Sequence, residues 1–379
     1  MESTIWTYPW DMVESGPDQV ARELSSAGLD GVSLAATYHC FDQLRPHGRL
    51  RRLLTSERSA AYYPARDDAY GKLRPARSNL LSGNAWTECA DVARDHDLTV
   101  TAWTLFLHNT HLATTHPECA QMTCTGDRLR HQLCPSNPDV REYACSLALD
   151  LSAVDPVSVI ECESLSFGAY GHTHFHPKIG VELGTGGWFL FSLCFCNDCI
   201  ASAEDHGIDI TELRSRCLAE VEAVFDSGEP LESSPADLLS ADSDLQAFVN
   251  LRDSTVTTLI EDVASASRKP IRLLVMGERL TSGVDVPAIA RSVEAVEYLC
   301  YSPDTDRTLE TLSSAFQQVG DACRVAAGLQ AYPPASTSGE QLAASVQAAR
   351  ETGSDLISFY NYGIMPRRNL EWIRRSLEC

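Results

Sequence analysis

Short apolar, strand-like runs alternate with helical patterns from one end of this chain to the other, and that alternation is its strongest constraint on folding. Thr4–Tyr8, Gly31–His39, Leu98–Leu107, Val157–Glu163, Ile271–Met276, Ala295–Tyr301, Arg324–Gln330 and Asp355–Asn361 read as eight strands. Between and after them, Asp18–Ala27, Ala85–Asp95, Pro138–Ala153, Ser338–Thr352 and Arg368–Leu377 carry helical spacing. Gly28 stands just past the first helix, as a C-terminal stop should. Eight strands alternating with helices predict an α/β fold, a closed (β/α)8 TIM barrel that takes up residues 1–379. The competing open, doubly wound sheet loses ground because no glycine-rich phosphate fingerprint follows any strand. Residues 165–270 read as a long insertion between strands four and five. It holds helices at Ile208–Phe225 and Asp244–Ala266 with an acidic linker, Ser227–Asp242, between them, and it is expected to decorate the barrel rather than fold alone.

Charge narrows the partners. Thirty basic residues stand against 52 acidic ones, a formal charge of −22, which excludes nucleic-acid binding through a broad basic surface. Lys72, Lys178 and Lys269 are the only lysines; the other basic residues are arginine. An acidic, lysine-poor surface resists salting-out, and strong salt screens its self-repulsion. The composition points to a halophilic protein, with an ordinary acidic protein from a GC-rich genome as the alternative. No apolar run reaches the roughly 18 residues that cross a membrane. Met1–Trp10 lacks the basic start and apolar core of a signal peptide, so the expected location is cytoplasmic. Fourteen cysteines in a long chain without an export signal read as thiols rather than as a disulfide scaffold, and Cys145, Cys162, Cys300 and Cys323 sit where a core wants a small apolar residue.

The site of a parallel β/α barrel lies at the C-terminal ends of its strands. Here those ends carry rings, amides and imidazoles: Trp10 and Asp11 after strand one, His39 after strand two, His108 and Asn109 after strand three, Tyr301 after strand six, Gln330 and Tyr332 at strand seven, Tyr360 and Asn361 at strand eight. Flat rings offer apolar faces to sugar C–H groups while amides and imidazoles serve hydroxyls, so the collection suits a carbohydrate or other polyhydroxylated ligand. Any single ring can equally cover barrel core.

Strand four is sharper. In Val159-Ile160-Glu161-Cys162-Glu163, alternation puts both glutamates on one face and Ile160 and Cys162 on the other. The apolar pair suits the outer helices, so Glu161 and Glu163 are expected to point into the barrel, with Glu163 nearer the mouth. Burying a carboxylate is costly unless it is paired. Two inward carboxylates suggest acid/base chemistry with one pKa raised, or a salt bridge to an inward arginine. Beyond the strand, His172, His174 and His176 alternate, as substrate contacts or as a metal site. Cys194, Cys196 and Cys199 form a C-x-C-x-x-C spacing that can wrap one tetrahedral ion, for which structural zinc is the expected occupant. Free thiols are the alternative.

These residues together resemble the family 42 glycoside hydrolases, β-galactosidases built on a β/α barrel. The likeness covers roughly residues 98–200 and lies in the cysteine turn after strand four and in Arg128-Leu129-Arg130-His131-Gln132-Leu133-Cys134-Pro135-Ser136-Asn137-Pro138-Asp139-Val140-Arg141, which is similar to the family's R-R-H-Y-C-x-x-S-P-x-Y-R segment. The resemblance implies Cys134 as the fourth zinc ligand and Glu163 as the acid/base counterpart. Two positions depart from the family: Cys162 replaces the asparagine before the acid/base, and strand seven ends Gly328-Leu329-Gln330-Ala331-Tyr332 with no carboxylate for a nucleophile. Glu278 after strand five, or Asp304 after strand six, can supply the missing partner, and in one plan Glu163 attacks while one of these protonates the leaving group; a further plan has Glu161 and Glu163 work together on strand four with the substrate assisting.

Three functions stay open at this level. The first is a glycoside hydrolase-like enzyme with Glu163 at its centre. The second is a non-catalytic carbohydrate-binding barrel, and the third a metal-dependent barrel hydrolase that uses the histidines. A homo-oligomer is compatible with all three. The charge reading has its own test: the melting temperature should rise between low and molar salt, and a flat profile would remove the halophile reading.

Overall fold

The computed structural model describes residues 1–171 and 176–378. Its main sheet closes on itself. Eight parallel strands, β1 (Glu2–Thr7), β2 (Gly31–Tyr38), β3 (Thr99–Leu105), β4 (Val157–Glu163), β5 (Ile271–Val275), β6 (Ala295–Leu299), β7 (Arg324–Gln330) and β8 (Leu356–Tyr360), pair in the order β1-β8-β7-β6-β5-β4-β3-β2, and β1 pairs with β2 to complete the ring. This is the (β/α)8 barrel that the alternating pattern predicts. Among the described residues, no helix is long and apolar enough to cross a membrane.

Barrel interiors are usually filled by branched aliphatic side chains. This one is not. Thr4, Ser33, Glu161, Arg272, Glu297 and Ser358 are all almost wholly buried. Strand register and alternation turn them to the inner face, since Thr4 pairs with Ser358 and Glu161 with Arg272. Above this polar layer Trp6 crosses the barrel. Gly328 on β7 makes room for it, because a Cβ there would come 2.9 Å from the indole.

The connections hold more structure than their sequence suggests. Pro9, suited to the first turn of a helix, opens the helix Pro9–Ser15 directly after β1. That turn carries Trp10 and Asp11 away from the mouth. Trp10 stacks on Tyr8 at 4.9 Å and donates its indole N–H to Gln43. Asp11 accepts from Arg45 Nε at 2.7 Å, and Arg45 also reaches Glu14 at 2.8 Å. Asp11 and Arg45 are both buried, and stripping one partner from such a pair costs about 3–5 kcal/mol. Trp10 and Asp11, expected at the ligand site, therefore serve the fold. Arg45 itself follows Phe41–Leu44, which forms a hairpin with Leu53–Ser56; the sequence from Arg45 to about Ser82 reads as an arginine-rich loop, and the second strand of the hairpin falls inside it.

Two loops build the upper wall. After β3 come the helix Thr110–Thr115 and a hairpin, Ala120–Met122 with Arg128–Leu133. Between β4 and β5 lie the helices Gly184–Ser192, Asn197–Asp205, Ile210–Ser227, Pro235–Ala241 and Ser243–Ala266. Pro235–Ala241 falls inside the expected acidic linker, where Ser234 caps Asp237 N and Pro235 takes the first helical position.

Candidate active site

At the C-terminal ends of the strands a cavity of about 630 Å³ opens, and Glu163 lines it. Leu105 and Glu163 are register partners at the tops of β3 and β4, so the last side chain of β4 emerges at the cavity floor. Trp103 Nε1 donates to Glu163 at 2.6 Å. Burial pushes the Glu163 carboxyl up to about 7; the indole hydrogen bond opposes this, and the nearby Glu161 adds to it. Such a group holds a proton at a pH where ordinary glutamates have lost theirs, the property a general acid needs.

Aromatic rings frame that carboxyl. Trp6, Tyr38, Trp103, Tyr301 and Tyr360 all line the cavity. Tyr38 meets Trp103 edge-on at 4.7 Å, and Tyr360 meets Trp6 edge-on at 5.7 Å and Tyr301 at 5.7 Å in a tilted pair. Imidazoles of His39 and His108, 4.9 Å apart and stacked, supply a polar side. Glu278 lines the cavity from the loop after β5, exposed to solvent. The cavity is therefore lined by two carboxylates, Glu163 at the top of β4 and Glu278 in the loop after β5.

The remaining expected residues lie elsewhere. Glu161 sits below, wholly buried, accepting from Trp6 Nε1 at 2.5 Å and Ser33 Oγ at 2.7 Å. Trp6 thus separates Glu161 from the cavity. Asp304 is exposed and caps the helix Thr305–Val319 through Asp306 N, which accounts for it without a ligand. Asn109 caps Thr110–Thr115 through Leu112 N. Asn361 is buried and accepts from Gly363 N. Gln330 and Tyr332 are half-buried at the top of β7 but are not among the residues that line the cavity. His172 and His174 lie outside the described residues; His176 is exposed.

Sequence reading missed Trp6, Trp103, His131, Gln132 and Trp188, all of which line the cavity. For the two strand tryptophans the signal was available, since each shares the inward phase of its strand with polar residues. His131 and Gln132 arrive through the hairpin, which no local pattern announces. Gln132 donates to Ser166 O and Gln121 to Gly168 O, clamping the segment after β4 against the hairpin. Gly168 permits the close approach, because a Cβ there would lie 2.5 Å from the Gln132 amide.

The same hairpin carries Cys134 to the cysteine turn. Cys134, Cys194, Cys196 and Cys199 are all buried, with their sulfurs within 4.8 Å of one another, a cluster that can bind a metal ion. Cys134 lies 3.5, 3.8 and 3.4 Å from Cys199, Cys194 and Cys196. A tetrahedral ion with metal–sulfur bonds of about 2.3 Å separates its sulfurs by roughly 3.8 Å, whereas a disulfide needs about 2.05 Å. The donor set fits a four-thiolate centre. Met122 N donates to Cys194 Sγ and Phe195 N to Met122 O, which seats the turn on the hairpin.

Solved structures with this architecture include glycoside hydrolases. The chain is similar to a β-galactosidase from the psychrophilic Marinomonas ef1, with a TM-score of 0.61 and 11% identity over 100% of this chain and 59% of the other. It is also similar to an α-L-fucosidase isoenzyme 2 from Paenibacillus thiaminolyticus, at 0.56 and 12% over 96% and 46%. An endo-1,4-β-mannanase from Rhizomucor miehei scores 0.51 at 10% identity over 100% and 95%. The chain spans about half the length of the first two, and at such identities the likeness is one of fold. No family model matches the chain, and no curated protein is similar to it in sequence.

Glu163 ties stability to pH. Its folded pKa is raised above the unfolded value of about 4.3, so its stabilising term is complete below that value and is lost as pH rises to about 7. The slope is at most about 1.4 kcal/mol per pH unit. Glu163→Gln should flatten that part of the profile in urea unfolding between pH 4.5 and 7; an unchanged slope would mean that the Glu163 carboxyl is not raised.

Proposed function

We propose that this chain is a glycoside hydrolase-like enzyme that acts on a carbohydrate substrate. The observation that carries the reading is Glu163, a carboxyl that burial pushes up to about 7 at the floor of an aromatic-lined cavity. In this reading Glu163 gives its proton to the glycosidic oxygen as the C–O bond breaks, and the departing sugar leaves with its hydroxyl restored. Glu278 is the second carboxylate, either attacking the anomeric carbon or taking a proton from the attacking water. The rings of Trp6, Trp103 and Tyr360 cover apolar sugar faces, while His39 and His108 serve hydroxyls.

The resemblance to family 42 at Glu163 and at the cysteine segments supports this reading. Cys134, Cys194, Cys196 and Cys199 are proposed to hold a structural zinc, the ion that suits a closed four-thiolate set. No step of the chemistry passes through it, since its ligands are buried and fill a tetrahedral shell. A second reading has one specific observation behind it. Strand β7 ends at Gln330, an amide that cannot form a glycosyl ester, so the barrel can instead bind sugar without cleaving it.

A panel of aryl glycosides decides between them. Wild-type protein should release the aryl group, and Glu163→Gln should cut turnover by about 10²-fold or more while sugar affinity persists; Glu278→Gln should act likewise. Binding without turnover in the wild type would favour the sugar-binding barrel, and neither binding nor turnover would remove both readings. Elemental analysis tests the metal: one zinc per chain is expected, lost with a fall in melting temperature in Cys134→Ser. Zinc content unchanged in that variant would remove Cys134 from the ligand set.

A further inference from the structure

Beneath Trp6 lies a buried group that the proposed chemistry leaves unused. Glu297 sits in the middle of β6 with 0% of its surface exposed. Neither of its oxygens finds a donor in hydrogen-bond geometry among the described residues, and the same is true of Glu161 Oε1. The two carboxyls lie within hydrogen-bond reach of each other. Arg272, also buried, stays at a distance: its Nη1 is 3.8 Å from Glu161 Oε1, its Nη2 is 3.9 Å from Glu2, and its Nε and Nη1 make no hydrogen bond.

We propose that Glu297 is a positioning residue that remains a neutral carboxylic acid and donates its proton to Glu161, holding Glu161 as the carboxylate that anchors Trp6 and sets the charge beneath Glu163. The inference rests on the reading of Glu163 as the proton donor of the cavity. Two ionised carboxylates this close, sealed from water and served by one arginine that, of the two, makes a long ion pair with Glu161 alone, would repel each other strongly. One proton resolves the conflict, and the donors decide where it stays. Burial raises Glu161 too, but the nearer guanidinium, the Ser33 hydroxyl and the Trp6 indole all oppose that rise and favour its charged form. Glu297 has only the Ser358 hydroxyl and the more distant charge of Arg272 on its side. Its O–H also reaches Glu161 Oε1, so a single proton turns one orphaned Glu297 oxygen into a donor and gives the orphaned Glu161 oxygen a partner. Burial, then the charge of Glu161, raises Glu297 to about 8.

Several titratable and polar groups surround the pair. Glu163 stands above on β4, and Arg272 lies on β5 with Glu2 beyond it. Cys300 and Tyr301 follow β6, Ser358 and Tyr360 come from β8, and Thr4 and Trp6 from β1. With Glu297 neutral, Glu161 and Arg272 cancel. With Glu297 ionised, the layer would carry a net negative charge below the cavity, and Glu163 would keep its proton to still higher pH.

Indole N–H resonances in the intact protein test this without any substrate. Trp103 donates to Glu163 and Trp6 to Glu161, so each reports its carboxyl between pH 4 and 9. Glu297→Gln mimics a neutral acid and should leave the Glu163 midpoint within about 0.3 pH unit of wild type, whereas Glu161→Gln should lower it by about 0.5 unit or more. A Glu297→Gln midpoint that falls as far as that of Glu161→Gln would show an ionised Glu297 and overturn the proposal. Should Glu297→Gln fail to fold, carboxyl ¹³C spectra of wild type replace it: at pH 7 a protonated glutamate besides Glu163 is expected, and its absence would overturn the proposal. Titrations as expected in a protein that cleaves no glycoside would remove the hydrolase reading and leave this pairing intact.

Discussion

A closed ring of parallel strands has no edge, so whatever its inner faces carry must be satisfied inside the ring or at its open end. Strand β4 puts a carboxylate in each of these places. Two residues apart, Glu161 and Glu163 share a face but not an environment. The lower one is surrounded by donors and a distant guanidinium; the upper one has a single indole donor and a cavity above it. The same chemical group thus meets several donors at one depth and a single donor at the other, where burial pushes it up to about 7, with Trp6 as the partition between them.

That partition explains the unusual interior. An aliphatic core would offer Glu161 nothing and would force its removal. Ser33, Arg272, Glu297 and Ser358 replace the usual branched side chains around it, and Gly328 gives up a side chain so that the Trp6 ring can lie across the top. Tryptophan suits the position because it has both a broad apolar face and one N–H: the face looks to the cavity and the N–H looks down. Stability and site geometry meet in one side chain.

Much of this was legible in the chain. Eight strands declared themselves through alternation with helices, and the phase of Glu161 and Glu163 followed from strand period alone. The cysteines could be grouped because their spacing is short and because a resemblance supplied Cys134. Other residues were misplaced for identifiable reasons. Pro9 converts the end of β1 into a helix start, so Trp10 and Asp11 turn inward to Gln43 and Arg45. Asp304 and Asn109 sit at strand tops but cap the helices that follow. Glu297 is an isolated acid within a strand, as on β4, but Ala295-Val296-Glu297-Tyr298-Leu299 has no second acid two residues away to mark the inward phase. His131 and Gln132 reach the cavity by a hairpin whose docking depends on contacts remote in sequence.

The cysteine cluster joins the hairpin after β3 to the turn after β4, and these are neighbouring segments of the barrel rim. Gln121 and Gln132 add their clamps along the same seam. With the four thiols gathered on one ion, that arc of the bowl would be tied into a single piece, while among the described residues no comparable cluster ties the segments that carry Tyr301 and Tyr360. Oxidising a sulfur of the cluster would loosen only the first arc. The bowl would gape on one side, with its tyrosine side still standing.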